Sequence, residues 1–299
     1  MSSQTVGIFP ASGGIGGSTV KHILSRVSPV NLVLIARQPN KLNYAEALGA
    51  QVRRADYDDD SSLESVFNGI STLFLISYAS VEHEYRSQYI FYGSLGFAGS
   101  PDNKESVAHV MQAHLDTENY LEQCRQKRDG FTYTIVREGL YSESFPLYTA
   151  FFDPTQPRNE IKIPHDGSGP GIAWVKREEL GEGTAELTTQ YFKQPAEFQW
   201  KNKTVLLSGQ KTLTLAETIK ILGEIAQVPV KITQVSDDEF ATQPDVIRNF
   251  TYHGVDLSKR WATAFEAFRR GEAAYVCPLL KELLGRDPED FKTTIGGFI

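Results

Sequence analysis

The chain has 299 residues, of which 40% are hydrophobic and 22% charged, with a formal net charge of −7 and an isoelectric point near 5.5. This balance is typical of a globular α/β protein, and the acidic surface argues against direct nucleic-acid binding. The two cysteines fit neither a disulfide framework nor a metal motif, so no metal site is expected. The chain shows no signal-peptide pattern and no apolar run approaching the ~20 residues of a membrane span, which predicts a cytoplasmic protein without a membrane partner.

Short apolar runs alternate with amphipathic segments through the first half of the chain. The predicted strands are Thr5–Phe9, Asn31–Ala36, Ala50–Arg54, Thr72–Ser77, Gln88–Tyr92 and Thr132–Arg137. The predicted helices between them are Gly16–Arg26, Lys41–Leu48, Ser61–Phe67 and Ser106–Arg125. This alternation predicts an α/β fold with a doubly wound parallel sheet of the Rossmann type.

The second half has more loops rich in proline and glycine, with brief strand and helix patterns between them. The predicted strands are Glu160–Ile163, Ile172–Val175, Val205–Ser208 and Val230–Gln234. The predicted helices are Glu178–Phe192, Leu215–Ala226, Ser236–Ala241, Ser258–Arg270 and Val276–Leu284. We therefore predict a dinucleotide-binding domain over residues 1–145 and a smaller α/β lobe over residues 146–299 that shapes the substrate pocket, with elements that can interleave at the boundary.

A glycine-rich turn directly follows the first predicted strand. It fits a shifted form of the dinucleotide-binding fingerprint, in which Pro10 stands where the first glycine usually lies. Gly13 is expected to let the backbone approach a pyrophosphate, and Gly16 to let the helix pack close to the strand. The cofactor-binding residues predicted in this turn are Pro10, Ser12, Gly13, Gly14, Ile15 and Gly16.

The end of the second strand indicates which dinucleotide binds. A site for NAD usually has an acidic residue there for the ribose hydroxyls, whereas this chain has Arg37, with Lys41 one turn later. A guanidinium can hold a 2′-phosphate with paired hydrogen bonds, so NADP(H) is favoured over NAD(H). After the third strand, Asp56 is the candidate partner of the adenine amino group, with Tyr57 beside it.

Motifs spread over nearly the whole chain resemble the fungal NmrA-like family. They lie at residues 9–17, 74–78, 90–97, 114–121, 136–144 and 206–210. The resemblance implies an atypical short-chain dehydrogenase/reductase fold, in a family that contains quinone oxidoreductases, fungal secondary-metabolism reductases and regulators that bind NAD(P) without turnover. It further implies that Ser77, Tyr78 and Ser94 approach the nicotinamide end, that His114 lies near the nicotinamide ribose, and that Tyr141 lines the substrate side.

Two features depart from typical short-chain dehydrogenases. The chain has no Tyr-x-x-x-Lys pair, which in those enzymes donates a proton to a carbonyl, so Tyr92, His114 and Tyr141 become the candidate acids. The link Ala79–Ser87, between the fourth and fifth strands, is shorter than a parallel crossover usually needs. Either the crossover is compressed, or a covering helix is absent and another element or a second subunit, as in a homodimer, covers the bare sheet face. A shortened gene product would give the same sequence.

Together these features favour an NADPH-dependent reductase of a quinone, ketone or enone of aromatic or polyketide type. The aromatic or carbonyl substrate is expected between the 94–97 loop and the second lobe, in a flat apolar pocket. Its expected aromatic lining is Tyr78, Phe97, Tyr141, Phe145, Phe151 and Phe152. Two alternatives stay open from the sequence: a non-catalytic regulatory protein that senses NADP(H) and binds a protein partner, and a lyase or cyclase on the same fold.

Overall fold

A computed structural model describes residues 4–77, 89–252 and 254–298. The strands are β1 (Val6–Phe9), β2 (Leu32–Ala36), β3 (Gln51–Arg54), β4 (Thr72–Ile76), β5 (Tyr89–Leu95), β6 (Thr132–Glu138), β7 (Glu160–Ile163), β8 (Lys203–Leu207), β9 (Lys231–Gln234), β10 (Thr251–Tyr252) and β11 (Val255–Asp256). The α-helices are α1 (Gly14–Ile23), α2 (Asn43–Glu46), α3 (His109–Lys127), α4 (Arg177–Lys193), α5 (Leu215–Ala226), α6 (Asp237–Ala241), α7 (Pro244–Phe250), α8 (Ser258–Arg269), α9 (Leu279–Leu284) and α10 (Phe291–Gly296).

Seven parallel strands form the central sheet, in the order β3-β2-β1-β4-β5-β6-β8. β1 and β2 are buried along their whole length, as expected of apolar runs covered on both faces. α1 and α4 pack on one face of the sheet, and α3 packs on the other. The predicted Rossmann-type α/β fold is confirmed.

Elements from the second half of the chain belong to the central sheet and to the helices that cover it. β8 extends the sheet by pairing with β6, and α4 lies along α1. The two helices approach so closely that a Cβ on Gly181 would lie 2.2 Å from the Ser18 hydroxyl oxygen. α9 also packs against α4 and β8. The helices α5, α6, α7, α8 and α10 surround a second hydrophobic cluster, next to a small parallel sheet formed by β7 and β9.

Three predicted elements differ in the structure. Ser61–Phe67 is not an α-helix: a short 3-10 turn at Asp60–Ser62 is followed by turns, because the Ser62 hydroxyl bonds to the carbonyls of Asp56 and Asp59 and competes with helical pairing. Lys41–Leu48 shortens to the single turn of α2 after a 3-10 turn.

The third difference is the segment Ile172–Val175, which is not a strand. Ile172 forms an isolated bridge with Leu213, and Val175 forms one with Tyr141. Its backbone groups therefore bond to several different segments instead of to one neighbouring strand. The sequence also did not reveal α7 and α10, which are too short to show a helical period.

In the described part of the chain, both cysteines are free and no group of three potential metal ligands comes together. No helix there is both long enough and apolar enough to cross a bilayer.

The packing of α1 can be tested with two neighbouring glycines. A Cβ on Gly16 would lie 1.8 Å from the Pro10 carbonyl oxygen, whereas a Cβ on Gly17 would have its nearest neighbour at 3.8 Å. We expect Gly16→Ala to lower the free energy of unfolding by about 2–3 kcal/mol, because the helix must move away from the turn. Gly17→Ala should raise it by up to about 1 kcal/mol through helix propensity. Urea unfolding of both variants measures the contrast, and equal effects would contradict this packing.

Candidate active site

The glycine turn lies between β1 and the start of α1, at the carboxyl edge of the sheet. Gly13 and Gly14 have φ angles of +73° and +50°, in the left-handed region that favours glycine. A Cβ added to either residue would meet no atom within 4 Å, so the space above the turn is open. Ile15 is different, because its side chain is buried in the core and only its backbone remains for a ligand.

A cleft of about 690 Å³ opens above this turn, with Lys21, the start of α4 and the α10 segment as its walls. The Lys21 ammonium lies 2.5 Å from Glu178, and the Lys176 ammonium lies 2.9 Å from Glu289. Acidic partners therefore offset these two cations, and the backbone amides at the N-terminus of α1 remain available to an anion. The open turn and the cleft fit a dinucleotide whose pyrophosphate rests on this backbone.

Arg37 and Asp56 come together beyond the ends of β2 and β3. The Arg37 Nε atom lies 4.0 Å from an Asp56 carboxylate oxygen, and 65% of the Arg37 side chain is exposed. Lys41 is also exposed, on the 3-10 turn that follows β2. Most of the guanidinium donors of Arg37 therefore face solvent at the position predicted for a 2′-phosphate.

Tyr57 joins two strand ends. Its hydroxyl donates a hydrogen bond of 2.7 Å to the Ile76 carbonyl, and its ring centroid lies 4.3 Å from that of Phe9. The hydroxyl thus already has a backbone partner, so a contact between Tyr57 and the cofactor would involve the ring.

A second cavity, of about 260 Å³, lies at the same edge of the sheet beyond β4, β5 and β6. Its wall brings together four of the predicted residues, which are Ser77, Ser94, His114 and Tyr141. Tyr78 and the short link Ala79–Ser87 lie outside the described residues. The cavity is thus bordered by the residues expected at the nicotinamide end and by one expected on the substrate side.

The aromatic lining of this cavity differs from the prediction. Phe97, Phe145 and Phe152 are buried in the hydrophobic cluster of the second half, and Phe151 packs against Phe250. Besides Tyr141, the tyrosine and tryptophan side chains that line the cavity, among the residues that the structure describes, are Tyr148 and Trp261. Trp261 belongs to α8, and only the folded chain brings it to this strand edge.

Tyr92 lies behind the cavity wall. It is 3% exposed, packs in the cluster on the α3 face of the sheet, and is not among the described residues that line the cavity. Burial raises the pKa of Tyr92 to about 12. The structure therefore does not place this predicted acid in contact with the cavity.

His114 lies on α3, with its Nδ1 atom 3.2 Å from the Ser77 hydroxyl oxygen. Burial lowers the pKa of His114 from 6.5 to about 4; Glu118 opposes the shift and Arg137 adds to it. At pH 7 the imidazole is consequently neutral, and it can accept or donate a hydrogen bond without carrying a charge.

A buried ion pair, which sequence reasoning missed, fixes one wall of the cavity. Arg137 and Glu118 are 2.8 Å apart, with side chains that are 0% and 2% exposed. The Ser94 hydroxyl donates to Glu118 at 2.7 Å, while Arg137 donates to the carbonyls of Ser100 and Asn103. An arginine among the mostly uncharged residues of this strand was the only sequence signal for the network.

Glu138, the last residue of β6, is a second acidic group that sequence reasoning did not single out. It is 2% exposed and lines the cavity, and its Oε2 atom accepts a hydrogen bond of 3.4 Å from the Tyr141 hydroxyl. Its Oε1 atom is buried without a hydrogen-bond partner among the described residues. Burial raises the pKa of Glu138 well above its ordinary value, and burial together with Glu138 raises that of Tyr141.

Comparisons with known proteins agree on family and fold. Residues 2–264 match the model of the NmrA-like family. An NmrA-like family domain-containing oxidoreductase from Aspergillus flavus is 27% identical, and the match covers 94% of this chain and 90% of that protein. Quinone oxidoreductase 2 from Escherichia coli is 26% identical over 79% of each chain.

Solved structures show the same fold. The Escherichia coli NADPH-dependent quinone oxidoreductase in complex with NADPH superposes with a TM-score of 0.76 at 22% identity, covering 98% of this chain and 99% of that one. The Citrobacter sp. triphenylmethane reductase in complex with NADP(H) gives a TM-score of 0.69 at 24% identity, covering 97% and 99% of the two chains.

The low pKa of His114 predicts how stability depends on pH. Its pKa is about 4 in the folded protein and near 6.5 in the unfolded chain, so the unfolded chain takes up a proton first as the pH falls. The neutral His114 therefore does not reduce the free energy of unfolding above pH 6.5. As the pH falls toward 4, protonation of the unfolded chain progressively lowers that free energy. Between pH 7 and pH 5 we expect the unfolding free energy of the wild type to fall about 1–2 kcal/mol more than that of His114→Gln.

Urea unfolding at the two pH values measures this difference. The exposed His109, at the start of the same helix, supplies the control variant His109→Gln, which should follow the wild type. A His114→Gln profile parallel to that of the wild type would contradict the assignment of a neutral, enclosed imidazole.

Proposed function

The chain belongs to the NmrA-like family, and from that membership we propose that it is an NADPH-dependent reductase of a small aromatic or conjugated carbonyl compound such as a quinone. The observation that carries the proposal is the position of the 260 Å³ cavity at the same sheet edge as the open glycine turn. A dinucleotide that lies along this edge would reach both. The names of the relatives, an oxidoreductase and a quinone oxidoreductase, support this proposal.

The proposed cofactor contacts follow the carboxyl edge of the sheet. The backbone at Gly13 and Gly14 would hold the pyrophosphate, and Arg37 with Lys41 would hold the 2′-phosphate. Asp56 would accept from the adenine amino group. Ser77 and Ser94 would border the nicotinamide end. When bound there, NADPH supplies the hydride that the reduction consumes.

The proposed substrate is small and planar. The cavity volume of about 260 Å³ lies just below the range of about 300–1,000 Å³ common for ligand pockets. Its wall includes the aromatic rings of Tyr148 and Trp261 and the aliphatic side chains of Leu140 and Leu147. Such a wall suits one or two fused rings lying flat against the nicotinamide.

Four finer expectations stay predictions. They are a fungal origin, a role in secondary metabolism, a cytoplasmic location and a homodimer. The regulatory alternative predicts the same cofactor contacts without turnover, so an assay of turnover separates it from the proposed reductase.

Oxidation of NADPH by the purified protein, followed with a panel of benzoquinones, naphthoquinones, cyclic enones and aromatic ketones, tests the proposal. We expect turnover with at least one quinone. Trp261→Ala should lower kcat/KM for that quinone about tenfold, because it removes an aromatic contact worth about 1.5 kcal/mol, while NADPH affinity stays unchanged.

Trp200 lies outside the residues that line the cavity and packs beneath the Lys203 ammonium, so Trp200→Ala is the matched control. Its kcat/KM should equal that of the wild type. Tight NADPH binding without turnover of any acceptor would favour the regulatory alternative, and absence of NADPH binding would contradict the proposal altogether.

A further inference from the structure

Reduction of a quinone consumes a hydride and a proton, and the chain lacks the Tyr-x-x-x-Lys pair that supplies the proton in typical short-chain dehydrogenases. Several polar groups of the cavity already have other roles. The Ser94 hydroxyl donates to Glu118, and the Ser77 hydroxyl lies 3.2 Å from a neutral His114. The Tyr141 hydroxyl donates toward Glu138. Among the described residues that line the cavity, the one carboxyl group is that of Glu138.

Glu138 has the geometry of such a donor. It lines the cavity from the end of β6, and its Oε1 atom is buried without a hydrogen-bond partner among the described residues. Gly93 on the neighbouring strand lies next to this oxygen and also lines the cavity. A Cβ at Gly93 would lie 3.6 Å from Oε1. A substrate oxygen entering the cavity would find this carboxyl group free to bond.

The surrounding charges leave the Glu138 carboxyl group neutral. The preceding residue, Arg137, forms an ion pair with Glu118 on the α3 face of the sheet, because successive side chains of a strand point to opposite faces. No lysine or arginine among the described residues forms an ion pair with Glu138. Among the described residues, the other titratable groups on the cavity wall are His114, Tyr141 and Tyr148, and all three are neutral at pH 7 because burial lowers the pKa of His114 and raises those of the two tyrosines. Burial raises the pKa of Glu138 well above its ordinary value, so the acid keeps its proton.

We propose that the carboxylic acid of Glu138 is the catalytic proton donor for the reduced oxygen of the substrate, an inference that rests on the proposed reductase function. The hydride brings two electrons to the quinone and leaves an oxyanion on the ring. The O–H bond of Glu138 then breaks as a new O–H bond forms on that oxygen, which completes the hydroquinone. The Glu138 carboxylate is held by the Tyr141 hydroxyl, and it regains a proton from water when the product leaves.

Glu138→Gln keeps the size of the side chain and removes the acidic proton. With a quinone that the wild type reduces at pH 7, we expect kcat to fall about 100-fold or more, with the Kd for NADPH unchanged. Glu122→Gln is the matched control, because Glu122 also accepts from a tyrosine, Tyr133 at 2.8 Å, but pairs with Arg125 on the outer surface of α3 and should leave kcat unchanged.

Infrared spectroscopy gives a readout independent of turnover. The wild type at pH 7 should show the carbonyl stretch of a protonated carboxylic acid that is missing in Glu138→Gln and present in Glu122→Gln. Wild-type kcat in Glu138→Gln, or no such band in the difference spectrum, would overturn the assignment while leaving the reductase proposal standing. A wild type that binds NADPH but reduces no acceptor would overturn both.

Discussion

The absence of a side chain at Gly16 is the constraint on which the arrangement of the site depends. Because α1 can rest against the Pro10 carbonyl, the helix starts directly beyond β1, and its first turn borders the open cleft. The close approach of Ser18 and Gly181 then brings α4 against α1, which places the start of α4 on the wall of the same cleft. Small residues at two contacts thus position the proposed phosphate site.

Two consecutive residues of β6 differ in charge: Arg137 forms an ion pair, whereas Glu138 is neutral. Arg137 is paired with Glu118 and donates to two loop carbonyls, and Glu118 in turn accepts from Ser94 on the cavity wall. Glu138 has no cationic partner among the described residues and is held neutral by burial. Because side chains alternate along a strand, the two groups lie on different faces and do not neutralise each other. This separation allows a structural ion pair and a proposed acid to lie side by side in the chain.

Sequence patterns could predict the local features of this protein. The strand segments of the first half, the glycine turn and the positions of Arg37 and Asp56 follow from short stretches of neighbouring residues. The lining of the cavity could not be predicted, because Tyr148 and Trp261 come from separate segments that only tertiary packing joins. The burial of Glu138 could not be predicted either. An acidic residue at a strand end is usually exposed, and its burial here depends on elements that are distant in the sequence. The predicted helix at Ser61–Phe67 failed for a local reason, since side-chain bonds of Ser62 replaced helical pairing.

We propose that a dinucleotide lies on the glycine turn with its 2′-phosphate held by Arg37. Calorimetric titration of NADPH and NADH into the wild type, Arg37→Ala and Lys220→Ala tests it most directly, since Lys220 is an exposed lysine on α5, remote in the fold from β2. We expect the wild type and Lys220→Ala to bind NADPH about tenfold or more tightly than NADH, and Arg37→Ala to lose that preference. Equal affinities in the wild type, or binding of neither dinucleotide, would contradict the account.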